Sequence, residues 1–194
     1  MFDEKKIDQI KRRVTGFIRD GFIRKEKETK FVDFFLKNAK NSRDSATLLL
    51  NVSMKKDLKD TLGLPDFNGY LWVINASYYS IFYMARALLE SEGIKIKTEM
   101  SIHAITFDAL VYYFYLSGKL EKRLIEDFGE AKEEAAEILG KEKAKELVED
   151  YFHEKKKRAT FTYEMGVTAM QNKAQTSLER AKRFGEEIRK MIEV

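Results

Sequence analysis

An all-α protein, built as an up-and-down bundle of five to six helices, is the fold class this sequence predicts. Three observations predict it. The 194 residues include one proline and ten glycines, so few chain breaks are available. Apolar residues recur at spacings of three and four through most of the chain, the period of a helix with one buried face. No run alternates apolar and polar residues with the β-branched bias of a strand, and no period of about 20–50 residues marks a repeat array.

The elements follow in order. Residues 3–24 carry Ile7, Ile10, Val14, Phe17, Ile18 and Phe22 on one helical face. Residues 31–54 repeat the pattern with Val32, Phe35, Leu36, Ala39, Ala46, Leu49 and Leu50. Residues 55–65 read as a connector ending in Gly63-Leu64-Pro65, and Asp66 is placed to cap a helix that runs to residue 92, before Gly93. A helix over 100–117 should stop at Gly118. Residues 120–139 and 141–164 are rich in Lys, Glu and Ala, with Gly140 between them and Gly166 after. Thr168 with Gln171 three residues on has the form of a capping box, opening a last helix to residue 192.

Composition excludes several chemistries. The chain has no cysteine and two histidines, His103 and His153, which removes disulfides, thiolate metal sites and a cysteine nucleophile. No Gly-rich phosphate loop, nucleophile elbow or metal-binding His-Glu helix occurs, and no cofactor is expected. No apolar run approaches a membrane span, and the charged start lacks the apolar middle of a signal peptide, so the expectation is a cytoplasmic protein with no membrane partner. The net charge of +4 is local: residues 1–30 hold ten Lys/Arg against six Asp/Glu, whereas the rest balances. Such a segment either meets an anionic partner or is a solvated helix of mixed charge.

The block from Tyr70 to Leu89 is apolar around nearly its whole circumference, as befits a helix in the middle of a bundle or in an interface. Asn75, Tyr79 and Arg86 break that rule, and at 100° per residue they fall within about 40° of one another. A buried arginine needs a partner or a ligand, so this seam is a structural polar network or part of an anion site. Further on, Lys155, Lys156, Lys157 and Arg158 form a cationic run suited to phosphates. Tyr151, Phe152, Phe161 and Tyr163 flank it and are suited to stacking on bases. His103, among Ile102, Ile105 and Phe107, reads as a packed or capping histidine, and His153 as solvent-facing. The acidic series Glu126, Asp127, Glu130, Glu133, Glu134 and Glu137, interleaved with lysines, reads as a solvated helix face.

The stretch Asn75-Ala76-Ser77-Tyr78-Tyr79-Ser80-Ile81-Phe82-Tyr83-Met84-Ala85-Arg86-Ala87-Leu88-Leu89, followed by Gly93 and by Met100-Ser101-Ile102-His103, resembles the HEPN family (higher eukaryote and prokaryote nucleotide-binding domains). Arg158 and Tyr163 stand where that family carries an Arg-x-x-x-x-Tyr segment, and Ala181-Lys182-Arg183-Phe184 is similar to its final helix. The likeness spans residues 30–192, a HEPN-like bundle domain over 30–194, with residues 1–29 as an extra basic N-terminal helix. It implies a homodimer that binds nucleotide or RNA, and a toxin-like role in a toxin–antitoxin pair with a small nucleotidyltransferase.

Many HEPN relatives are metal-independent ribonucleases with an Arg-x4-6-His motif, in which the arginine stabilises the phosphate's developing charge and the histidine moves a proton. Here Tyr163 occupies the histidine position and Ala159 follows the arginine. A phenol with a pKa of about 10 is a poor base at neutral pH. The expectation is therefore a binding pocket drawn from Arg158, Tyr163, Asn75, Tyr79 and Arg86, with Lys155, Lys156 and Lys157 on the phosphates. Two other readings stand beside it: a ribonuclease using Arg158 with His153 or Tyr163, and a non-catalytic adaptor dimer.

Overall fold

The computed structural model describes residues 4–97, 101–149 and 160–193, and for residues 139–149 and 160–168 the helical backbone alone. Seven α-helices and a two-stranded ribbon make up the described residues, in the order α1 (Glu4–Arg19), β1 (Ile23–Lys25), α2 (Val32–Met54), α3 (Lys56–Thr61), α4 (Tyr70–Ser91), β2 (Ile94–Ile96), α5 (Ile102–Leu110), α6 (Lys122–Glu149) and α7 (Thr160–Ile192). The all-α class holds.

α4 is the axle. Fifteen of its 22 residues are buried, from Tyr70 and Val73 through Ile81 and Ala85 to Glu90. α2 runs antiparallel to it: Gly69 donates its N–H to Ser53 Oγ at 2.8 Å at one end, and Ser80 Oγ donates to the Ala39 carbonyl at 2.9 Å nearer the middle. α7 runs parallel to it, since Tyr70 donates to Gln171 Oε1 at 3.1 Å while Gly185 lies beside the Met84 methyl. The larger core cluster joins Tyr78, Ile81, Phe82, Leu88 and Leu89 of α4 to Phe114, Phe128 and Phe184. A smaller one gathers Ala46, Tyr70, Val73, Ile74, Ile138, Ala174 and Leu178 at the other end of α4.

Several boundaries differ from the expectation. The first helix ends at Arg19, and Ile23, Arg24 and Lys25 pair antiparallel with Ile96, Lys95 and Ile94. Three-residue strands are too short for alternation to register, although Ile23, Ile94 and Ile96 all turn inward. The connector contains the short helix α3. Asp66 caps nothing: α4 starts after Gly69, whose N–H is taken by Ser53 from the neighbouring helix. Helix α5 gives way at Val111 to a π-helical turn through Tyr115 before Gly118, at φ +73°, ends it. Gly140 breaks nothing, because a helix-interior glycine costs only about 1 kcal/mol against alanine and the flanking residues are good helix formers. Thr168 and Gln171 lie inside α7, and Gln171 bonds Tyr70 instead of closing a capping box.

The largest difference concerns the acidic face of α6. Arg180 of α7 reaches Glu130 Oε2 at 2.8 Å, Glu134 Oε2 at 3.0 Å and Asp127 at 3.7 Å, and Arg183 grips Asp127 with both arms at 2.7–3.1 Å. Lys173 meets Glu137 at 3.2 Å. Asp127 is only 6% exposed. Asp127 and Glu134 thus belong to an ionic seam between α6 and α7, because α7 brings its cations alongside at matching heights, whereas Glu130, Glu133 and Glu137 stay on an exposed face as the sequence suggests.

α1 and β1 are built into the same core. Ile10, Val14 and Ile23 belong to the larger cluster, and Arg13 forms a two-armed bond with the buried Asp108 of α5 at 2.7 and 2.9 Å.

Candidate nucleotide-binding groove

Trp72, Tyr79 and Tyr83 follow one another down α4 at i, i+7 and i+11, so all three lie within about 40° of a common line, about 10 Å and then about 6 Å apart along the axis. They form one wall of a surface groove between α4 and α2. The facing wall is Asn38, Ser42, Ser45 and Leu49 of α2, with Asn75 and Ala76 at the α4 side. The groove therefore carries aromatic faces, hydroxyls and amides, and no charged residue lines it. Trp72 is 55% exposed, unusual for an indole on a central helix. Asn75 Oδ1 is buried and accepts no hydrogen bond among the described residues, an unmet acceptor beside open space.

Tyr79 links this groove to a second cluster. Its ring meets Tyr83 at 6.1 Å and stands edge-on to His103 at 5.8 Å. His103 is boxed by Phe82 at 4.3 Å and Tyr78 at 5.6 Å, and its Nδ1 shares a 2.7 Å hydrogen bond with the Tyr78 hydroxyl. Burial, with Lys132 and Arg86 adding positive charge, holds His103 below its ordinary pKa of 6.5. Burial likewise pushes the Tyr78 phenol upward. At neutral pH both groups are uncharged, and the histidine is packed, as the sequence suggests.

Arg86 is 7% exposed and lies on the same side of α4, yet outside the groove lining. Its guanidinium lies over the Phe35 ring at 4.8 Å and makes no hydrogen bond among the described residues. Burial lowers its pKa, opposed by Glu90 one turn on. Glu90 itself is engaged by Lys95 Nζ and by the Phe31 N–H at 3.2 Å, so it holds the start of α2. The buried arginine is thus partnered by an aromatic face rather than by a carboxylate fork.

Of the residues singled out from sequence, Asn75 and Tyr79 share the groove, and Arg86 lies three residues past Tyr83, over Phe35 and outside the lining. Lys155, Lys156, Lys157 and Arg158, with His153, Tyr151 and Phe152, lie outside the described residues. Tyr163 is on the backbone of α7. Since α7 runs parallel to α4 in the register Tyr70–Gln171 and Met84–Gly185, Tyr163 lies about 20 Å along the axis from Asn75 and about 36 Å from Arg86 at 1.5 Å per residue. One chain does not gather Tyr163 and Arg86 into one pocket. Sequence reasoning missed Trp72, Tyr83 and the α2 wall. The i, i+7, i+11 aromatic spacing was readable, whereas Asn38, Ser42 and Ser45 carry no signal until α2 is laid against α4.

No group of three or more His, Asp or Glu residues with metal-site geometry occurs among the described residues. No helix among them is long and apolar enough to cross a membrane. Compared with protein-family models, with curated proteins and with solved structures, the chain finds no match in any of the three.

Proposed function

We propose that this chain is a HEPN-like nucleotide- or RNA-binding protein that acts as a homodimer, with the α2–α4 groove receiving bases. The observation that carries the reading is the row of Trp72, Tyr79 and Tyr83 facing Ser42, Ser45 and Asn38. Every base has a π-face to stack on such rings, and the serine and amide groups across the groove suit base edges. The groove is neutral, so this reading puts the phosphates outside it, with Lys155, Lys156, Lys157 and Arg158 as the cations for them. The resemblance to HEPN proteins adds a small nucleotidyltransferase as partner protein in a toxin–antitoxin pair. Binding without efficient cleavage is the favoured activity, because Tyr163 replaces the histidine that would move the proton.

A second reading, a non-catalytic adaptor dimer, rests on the exposed Phe34 and Leu48 of α2 and Trp72 of α4. Aromatic residues are favoured at interface centres. The two readings separate in one experiment: anisotropy of a labelled single-stranded RNA against salt, with light scattering on the same samples. Contact with about four phosphates gives a log–log slope near −3. Trp72→Ala and Tyr79→Ala should each weaken binding by about 1–3 kcal/mol, and Arg158→Ala should flatten the slope. No RNA binding at low salt leaves the adaptor, and a 22.7 kDa monomer by scattering removes the dimer. Rapid metal-independent cleavage that is lost in Arg158→Ala establishes the ribonuclease instead.

A further inference from the structure

Away from the groove, and sharing no residue with it, a cavity of about 330 Å³ opens where α1 meets α5 and α6. Its apolar side is Ile10, Phe107 and Ile125. Gly129 of α6 lines it beside the Phe107 ring, and an added Cβ would sit 3.7 Å from that ring, at ordinary contact distance. Packing therefore does not require glycine there. In a helix interior glycine costs about 1 kcal/mol relative to alanine, so its effect at this point is to keep the cavity open over the ring.

The rim carries both signs of charge. Lys6, Arg13 and Lys132 supply cations, and Lys132 Nζ lies 5.4 Å from the Phe107 centroid. Arg13 is held in place by Asp108 through Nε and one terminal nitrogen, which leaves its other terminal nitrogen without a bond among the described residues. Glu126 and Glu133 supply carboxylates from α6, Glu126 also meeting Lys122 at 3.4 Å on the surface. Glu130 is drawn away to Arg180. A ligand bearing one charge alone would face repulsion from half of this rim, whereas one bearing both would not.

We infer that this cavity binds a zwitterionic amino acid with a large apolar side chain, the side chain lying on Phe107 beside Gly129, the carboxylate toward Arg13 and Lys132, and the ammonium toward Glu126 and Glu133. Because α1 forms one wall, occupancy ties α1 to α5 and α6, and the bound ligand stabilises the docked helix by mass action. Recognition of an apolar body by a cavity of this size, with a few convergent polar groups, follows the general pattern of small-molecule sites.

Titration calorimetry of the full chain tests it with L-phenylalanine, phenethylamine and 3-phenylpropionate as probes. Phenylalanine should bind, and each single-charge analogue should bind about tenfold more weakly or worse. Gly129→Leu fills the cavity and should abolish phenylalanine binding, while Gly129→Ala, folded and with its methyl in ordinary contact, should retain most of it. A melting curve establishes that Gly129→Leu is folded; should it not be, Lys132→Gln and Glu133→Gln take its place and should each weaken phenylalanine binding. Absence of phenylalanine binding to the unmodified chain overturns the proposal. So does equal binding of either analogue, or binding indifferent to filling the cavity. RNA binding at the α2–α4 groove is unaffected by any of these results.

Discussion

Arg86 and His103 show how one buried face of α4 decides the state of a side chain. Arg86 lies over Phe35 with its N–H groups unbonded among the described residues, so the planar, weakly hydrated guanidinium suits the place and a compact ammonium does not. Arg86→Lys should therefore cost more stability, about 2–3 kcal/mol, than Arg86→Met, about 1 kcal/mol, which keeps the shape and removes the buried charge. Urea melts of both variants check the order, and a milder lysine variant means that charge, not stacking, is what the position needs. His103 is held below its ordinary 6.5 by burial first and by Lys132 and Arg86 second. The unfolded chain then takes up a proton before the native one does. His103's stabilising contribution is fully present above the ordinary value. It is lost as pH falls from about 6.5 toward the lower native value, because stability rises with pH wherever the unfolded state binds more protons. Thermal melts across that window should show the loss in the native sequence and a flatter profile in His103→Gln.

At the scale of elements, the ribbon and the turns depend on two glycines of unequal necessity. Gly93 (φ +73°) follows α4, and an added Cβ would overlap the Glu26 carbonyl oxygen, beside the 2.8 Å bond from Glu26 N–H to the Gly93 carbonyl. Gly118 has the same φ with open space around it. Gly93→Ala should therefore cost about 3 kcal/mol or more, and Gly118→Ala about 1 kcal/mol, the strain alone. Comparable denaturation midpoints for the two would show that β1 can shift away from β2 at little cost. Elements also set the limit of what local sequence conveys. α2 matched its periodicity closely because its apolar stripe and its boundaries are both local features. α6 and α7 did not, because Gly140, Gly166 and the Thr168–Gln171 pair resemble punctuation, yet the neighbours on either side continue the helix through each of them.

For the molecule as a whole, the N-terminal segment is the telling case. The family resemblance sets it apart as an extra helix and its charge reads as an anionic contact or a solvated helix; in the structure Ile10, Val14 and Ile23 enter the main core and Arg13 neutralises a buried aspartate. The segment also forms one wall of the α1–α5–α6 cavity. Of the candidate site, the polar seam on α4 was legible because its residues share one helix, and angular arithmetic applies within a helix. Joining that seam to Tyr163 required the offset between α4 and α7, which no local pattern encodes. Once that offset is known, the two lie too far apart within one chain to line a single pocket.

By itself, then, the sequence determined the helical class, the extent of α2, the burial of α4 and the packed state of His103, all of which follow from residue type at the helical period. Only the tertiary structure decided which surfaces meet: Ser42 and Ser45 against a row of aromatic rings, Asp127 against Arg180 and Arg183, Phe35 beneath Arg86, Ile23 beside Ile96. The physical reason is one of range. Periodicity and capping report on contacts between residues three or four apart, whereas these partners come together only when separate elements pack side by side, and their energies depend on offset and burial that no single element carries.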